Sequence, residues 1–146
     1  LVLSGLFFSV QEAVHMLTRT PGGMAADYFG RLVVISAGVL LMAAGLLALP
    51  YLQGDLVICS SVVLGAAQGL IFPALVAFIA DQSDYDIGTG MGLYGAMRNL
   101  GKVLGPVIAG FILTVGSFDD MLLSAAILLL AVAGAVALVG TSRLLS

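Results

Sequence analysis

The sequence predicts an all-α membrane protein whose helices cross the bilayer several times. The chain has 146 residues, of which 61% are hydrophobic and only 9% are charged. Its mean hydropathy is +1.19. Soluble domains carry roughly 25% charged residues, so a soluble fold would have too little polar surface. Short polar segments separate apolar runs of about the ~20 residues that a membrane crossing needs. We therefore predict five transmembrane helices.

Polar and helix-breaking residues set the boundaries of these five spans. The first begins at the N-terminus and should end where Pro21 closes it, because proline disrupts a helix interior. Polar side chains fall inside this first span, whereas the second and fifth spans are free of charge. The predicted spans are 1–20, 32–53, 56–80, 88–115 and 121–140. An odd number of spans places the two ends of the chain on opposite sides of the membrane.

The segment 21–31 is a short polar break between the first two spans. Glycines such as Gly23 and Gly30 let two helix ends approach closely and turn. Asp27 and Arg31 are four residues apart, a spacing at which opposite charges on a helix can meet. We therefore expect a tight hairpin here on one face of the bilayer.

The pattern Gly23-x3-Asp27-x2-Gly30-Arg31 resembles the hairpin signature of the major facilitator superfamily, a large family of secondary transporters. In that family the aspartate is followed by a basic residue, but Tyr28 stands here, so the pattern is similar to the weaker copy between the eighth and ninth helices. The resemblance implies that the five spans are the eighth to twelfth helices. They would form most of one six-helix bundle, with the four motif residues as a conformational latch.

Glycines and a proline recur along the fourth span, at Gly92, Gly101, Gly105, Pro106 and Gly110. Small residues on one helix face allow close helix–helix contact in lipid. Pro106 removes a backbone donor and favours a bend. The stretch resembles the glycine–proline motif in the fifth helix of drug/proton antiporters of the same superfamily. It predicts either a packing face or a gating segment, and both remain open.

Arg98 and Lys102 are candidates for binding substrate inside the fourth span. They are four residues apart and so share a helix face. A cation facing lipid near mid-membrane costs at least ~2.5 kcal/mol, so both should face the protein interior or a watery cavity. They would attract an anionic substrate group or pair with a carboxylate. The alternative is a buried structural ion pair.

Glu12, His15 and Gln68 are the other polar candidates within the spans. Glu12 and His15 are three residues apart, and either could take and release a proton during a transport cycle. Glu12 is the preferred coupling residue, although it could instead neutralise Lys102 or Arg98. Gln68 could bind substrate or a neighbouring helix.

Other function classes lack support in the sequence. No nucleophile–base arrangement or phosphate-binding loop indicates an enzyme, and no cofactor is predicted. One histidine and the single Cys59 make a metal site improbable. No basic cluster points to nucleic acid. The predicted partners are the lipid bilayer, a small-molecule substrate and the missing N-terminal helices of the same transporter.

Arg19 and Arg31 flank the first hairpin, and Arg143 follows the last span on the same side. Positive charges mark the cytoplasmic side, so the hairpin and the C-terminus should be cytoplasmic, in a plasma (inner) membrane. The chain has no initiator Met and reads as a fragment. The resemblance implies secondary active transport of a small molecule, a drug or a metabolite, by alternating access coupled to protons. The alternative is a non-transporting membrane subunit or a truncated remnant.

Overall fold

Five α-helices account for nearly all of the structure. The computed structural model describes residues 2–52, 54–82 and 87–144, and no strand occurs within these ranges. The helices are α1 (Val2–Phe29), α2 (Arg31–Ala48), α3 (Val57–Gln82), α4 (Ile87–Val115) and α5 (Phe118–Leu144). Two 3₁₀ turns, Leu49–Tyr51 and Gly54–Leu56, lie between α2 and α3. The prediction of an all-α fold with five long helices is confirmed.

Four of the helices are long and apolar enough to cross a membrane. These segments are Arg31–Tyr51, Val57–Gln82, Ile87–Val115 and Phe118–Gly140. The remaining helix, α1, is 28 residues long and is the one that carries Glu12, His15 and Arg19. It packs against α3 along much of its length, so its polar side chains are held beside an apolar span.

The first helix does not end at Pro21, contrary to the sequence prediction. Pro21 lies inside α1, which continues to Phe29. Proline removes one backbone donor, but packing against a neighbouring helix can hold the helix together. That packing is close here, because a Cβ at Gly22 would lie only 2.5 Å from the carbonyl oxygen of Gly69 on α3.

One glycine makes the whole reversal between α1 and α2. Gly30 has φ 94° and ψ 139°, a conformation that side-chain-bearing residues rarely adopt. Its N–H donates a 3.1 Å hydrogen bond to the carbonyl of Ala26, and its carbonyl accepts one of 3.2 Å from the N–H of Val34. The predicted hairpin therefore exists, but the turn is confined to Gly30, and residues 21–29 are helical.

α3 lies at the centre of the bundle, with α1 and α2 packed against it and α5 packed against α2. α4 touches α3 and α5 only at a few places. The core consists of small and β-branched side chains from four helices: Ala26, Val34, Ile35, Val39, Ala74 and Ala133. Many large apolar side chains point outward, as expected of a bundle whose solvent is lipid.

Glycines on α3 bring α1 unusually close. A Cβ at Gly65 would overlap the backbone carbonyl oxygen of Gln11, and one at Gly69 would overlap the side chain of Thr18. The four-residue spacing of Gly65 and Gly69 is the small-residue pattern that allows helix backbones to touch in membranes. This contact fixes the face that α1 presents to α3.

At the opposite end of the bundle, the turn between α4 and α5 is closed by a capping box. The N–H of Ser117 donates a 2.8 Å hydrogen bond to Oδ2 of Asp120, and the N–H of Asp120 donates one of 3.2 Å to Oγ of Ser117. These reciprocal bonds satisfy two backbone donors at the start of α5.

Candidate functional site

Phe72 on α3 is the centre of a group of aromatic and cationic side chains from three helices. The Cζ atoms of Arg19 and Arg98 lie 4.5 Å and 5.1 Å from its ring centroid, both within the ~6 Å range of a cation–π contact. The rings of His15 and Tyr94 lie 6.4 Å and 6.3 Å from it. We call these five residues the Phe72 cluster.

Helical spacing explains why these side chains converge. His15 and Arg19 are four residues apart on α1, and Tyr94 and Arg98 are four apart on α4. Residues four apart lie on the same helix face. Each pair therefore turns one face of its helix toward Phe72, and the cluster joins side chains of α1, α3 and α4.

The cluster lies at a similar depth in all three helices. Arg19 and Phe72 each precede the last residue of their helix by ten positions, and Arg98 follows the first residue of α4 by eleven. These ends all belong to the hairpin end of the bundle, where Gly30 lies. At about 1.5 Å per residue, the cluster is ~15 Å from that end. The three helices have 26 to 29 residues and are therefore ~40 Å long, which exceeds the roughly 30 Å hydrocarbon thickness of a bilayer. The centre of the cluster is thus nearer the hairpin end than the midpoint of each helix.

Glu12 and His15 meet on α1, as their spacing predicted. Nδ1 of His15 lies 3.3 Å from Oε1 of Glu12. The His15 side chain is 14% exposed and that of Glu12 is 67% exposed. Nε2 of His15 is buried and has no hydrogen-bond partner among the described residues. The contact therefore joins Glu12 to the Phe72 cluster through His15.

No carboxylate partner is found for Arg19, Arg98 or Lys102 in the part of the chain that the structure describes. The ion pairs found there join His15 to Glu12 and Arg31 to Asp81, and neither includes Arg19, Arg98 or Lys102. Glu12 therefore does not neutralise Arg98 or Lys102 in this arrangement. Positive charge therefore exceeds negative charge around the Phe72 cluster.

Gln68 and Lys102 lie one helical turn away from the cluster. Gln68 precedes Phe72 by four residues on α3 and is partly buried, whereas Lys102 follows Arg98 by four residues on α4 and is exposed. Their roles in binding stay predictions.

Arg31 holds the hairpin to the end of α3 rather than to Asp27. Its guanidinium forms an ion pair with Asp81 and donates a 2.6 Å hydrogen bond from Nη1 to the carbonyl of Ala77. The expected contact between Asp27 and Arg31 is wrong, because Gly30 breaks the helix between them and the four-residue rule applies only within a continuous helix.

An open cleft of about 660 Å³ surrounds this ion pair. Asp27 is exposed and lines it together with Gly30, Phe78 and Gly140. Gly23 packs further along α3, where a Cβ would be 3.8 Å from the side chain of Pro73. Three of the motif residues, Asp27, Gly30 and Arg31, thus lie together with the end of α3, and the function of the four motif residues as a latch stays a prediction.

The glycines of α4 face open space within the described residues. A Cβ at Gly92, Gly101, Gly105 or Gly110 would have no atom within 4 Å. Pro106 lies inside the helix, and none of its described residues is buried. A packing or gating role for these residues therefore requires neighbours beyond the described part of the chain, and it stays a prediction.

Sequence reasoning missed three residues that the structure places at these two sites. Arg19 was predicted to flank the hairpin, but α1 continues for ten residues beyond it. Phe72 was not among the predicted site residues, although its spacing of four from Gln68 could have indicated a shared face. Asp81 belongs to a polar loop, 81–86, between the third and fourth predicted spans, and spacing in the sequence does not pair it with Arg31. The rest of that loop, Asp84 and Asp86, lies outside the described residues.

Comparison with known protein families gives one match along nearly the whole chain. A family model described as Major Facilitator Superfamily matches residues 2–145. Comparison with curated proteins and with solved structures gave no significant match. The matched range includes all five helices, the Phe72 cluster and the hairpin.

Proposed function

Because the chain belongs to the Major Facilitator Superfamily, we propose that it is part of a secondary transporter that moves a small molecule across the membrane by alternating access. The Phe72 cluster carries this proposal. It brings charged and aromatic side chains together on three helices, away from the helix ends, and transporters of this kind bind substrate within the membrane. Charged residues at that depth are costly and indicate a functional site by default. The bilayer and a small-molecule substrate are the partners that this function requires.

We assign the five helices to the eighth to twelfth helices of the transporter, so other helices of the same protein would complete the cavity. The exposed state of α4 supports this assignment. No described residue of α4 is buried, and its glycine backbone is open to a neighbour. A helix from the rest of the protein would pack there, and Gly105 with Pro106 would then form a flexible wall between bundles.

The hairpin end is proposed to face the cytoplasm of the plasma (inner) membrane. Arg31 lies at this end, and Arg143 lies in the last turn of α5, which also ends there. Asp119 and Asp120 begin α5 at the opposite end. Basic residues favour the cytoplasmic side. Arg19 does not contribute to the argument for a cytoplasmic side, because α1 continues for ten residues beyond it and it is not at a helix end.

Proton coupling is the proposed energy source, with Glu12 as the exchanging carboxyl. Its contact with His15 offers a neighbouring imidazole through which the proton would be passed. The mechanism would be antiport if release of the proton from Glu12 and binding of the substrate at the Phe72 cluster alternate. The Glu12 side chain is exposed, as exchange of a proton with water in a transport cavity would require.

Transport by the full-length protein in sealed vesicles tests the function. A pH-sensitive dye inside the vesicles would report proton movement when a candidate solute is added under an imposed pH gradient. A transporter should move protons only in the presence of its solute. A full-length protein that never couples solute and proton movement across a broad solute panel would instead favour a non-transporting subunit.

Glu12→Gln is expected to remove gradient-driven accumulation, because an amide cannot carry the proton. Movement of the solute down its own concentration gradient should persist, since the Phe72 cluster keeps all of its side chains. The measurement compares accumulation with and without the pH gradient. Asp119→Asn, which removes an exposed carboxylate at the other end of the bundle, is the matched control and should leave coupling intact. Normal gradient-driven accumulation by Glu12→Gln would eliminate Glu12 as the coupling residue.

A further inference from the structure

Resting on the proposed transport function, we infer that the Phe72 cluster binds the anionic group of the substrate. The substrate class is an organic anion, with a carboxylate next to a planar aromatic ring. Arg19 and Arg98 would hold the carboxylate, and Phe72 and Tyr94 would contact the ring. The binding site lies between α1, α3 and α4.

The excess of positive charge around the Phe72 cluster favours binding of an anion. Arg19 and Arg98 approach the same ring without an ion-pair partner among the described residues. Lys102 adds a third positive charge one turn further along α4. The carboxylate of Glu12 contacts His15 instead. Both arginines are exposed in the described structure. Because a cation that faces lipid is costly, a bound anion would stabilise this arrangement.

The chemistry of the two arginines favours a carboxylate. A guanidinium is a planar fork of N–H donors that matches the two oxygens of a carboxylate. Contact with the face of Phe72 uses the charge of each guanidinium and occupies none of its N–H donors. The ring therefore positions both side chains while leaving their hydrogen-bonding capacity available to a ligand.

The aromatic preference follows from the surfaces beside the charges. Because the guanidiniums lie over the face of Phe72, the remaining apolar surfaces are the edge of that ring and the ring of Tyr94. The two rings are 6.3 Å apart at an interplanar angle of 58°. Aromatic rings pack favourably against one another in offset or edge-to-face arrangements. Beyond Arg98, the backbone at Gly101 and Gly105 has no atom within 4 Å of a Cβ position, so a ring is not obstructed by the described residues.

Binding of matched pairs of probes to the purified full-length protein tests this inference. The probes are benzoate and benzamide, nicotinate and nicotinamide, and salicylate and salicylamide, titrated by calorimetry. Each amide retains the ring and lacks the charge. We expect at least one carboxylate to bind tenfold or more tightly than its amide. Failure of all three carboxylates to bind, or equal binding of the paired amides, overturns the inference.

Variants then locate the site. Arg19→Gln and Arg98→Gln should each weaken carboxylate binding at least tenfold, whereas Arg98→Lys, which keeps the charge and loses the fork, should weaken it less. Arg143→Gln removes one positive charge from the last turn of α5, a helix that contributes no residue to the Phe72 cluster, and should leave binding unchanged. Thermal unfolding confirms that each variant is folded. Unchanged binding in both glutamine variants also overturns the inference.

The result is separable from the proposed function. Calorimetric binding needs no gradient and no transport, so a carboxylate can bind in a protein that fails the vesicle assay. Conversely, the protein could transport a neutral or cationic solute and bind no carboxylate at the Phe72 cluster. That result would support the transport function and exclude an anionic substrate.

Discussion

Replacing Gly65 with valine is expected to destabilise the protein by about 3 kcal/mol, the upper end of the usual cost of overpacking. Any Cβ at this position overlaps the backbone carbonyl oxygen of Gln11 on α1. A backbone atom cannot move aside as a flexible side chain can, so α1 and α3 must separate. Separation would loosen the contact that turns His15 and Arg19 toward Phe72. Thermal unfolding of the purified full-length protein should therefore show a lower midpoint.

Gly134→Val is the matched control for this prediction. Gly134 lies in the interior of α5 and has no atom within 4 Å of a Cβ position. The same side chain is therefore added to a helical glycine without a clash, and the slightly better helix propensity of valine should make the change neutral or mildly stabilising. Equal unfolding midpoints for the two variants would contradict the close contact between α1 and α3.

Arg31→Gln is expected to lower the transport rate of the full-length protein about tenfold without preventing its insertion. The change removes the ion pair with Asp81 and the 2.6 Å hydrogen bond to the carbonyl of Ala77. A hydrogen bond involving a charged group contributes about 1.5–3 kcal/mol. Because the Asp81 side chain is 58% exposed, solvent screening favours the low end, and about 1.4 kcal/mol corresponds to a tenfold shift in a conformational equilibrium.

Two further variants make the transport measurement specific. Arg31→Lys can still pair with Asp81 but lacks the second set of donors, so an intermediate rate is expected. Asp27→Asn should have a smaller effect than Arg31→Gln, because Asp27 lines the cleft without pairing with Arg31. Initial rates in vesicles, normalised to the amount of inserted protein, provide the comparison. A rate for Arg31→Gln equal to that of the unchanged protein would remove the latch role of this arginine.

Composition and local pattern were sufficient to predict the class of fold. A chain with 9% charged residues cannot cover a soluble surface, and helices satisfy their own backbone groups in lipid. The glycine pattern around Gly30 correctly indicated a reversal between two helices. The resemblance of the same segment agreed with the family match over residues 2–145. These features depend on residues close together in the chain, which is why the sequence reveals them.

Helix ends and side-chain partners were harder to predict, because they depend on neighbours distant in sequence. Pro21 predicted a helix end, but close packing of Gly22 against Gly69 accompanies its continuation. Arg31 was matched with the nearest acidic residue, whereas its ion pair is with Asp81, at the far end of another helix. Spacing within one helix gives a face, but it does not show which helix that face will meet.

The sequence by itself determined the apolar helices, the turn at Gly30 and the grouping of Glu12 with His15, since each follows from composition or from the period of a single helix. Only the tertiary structure decided that α3 would lie between α1 and α2, and that Arg19 and Arg98 would share the ring of Phe72. The physical reason is that helix packing in lipid depends on shape. The absence of side chains at Gly65 and Gly69 permits a backbone contact, and that contact sets which polar faces meet.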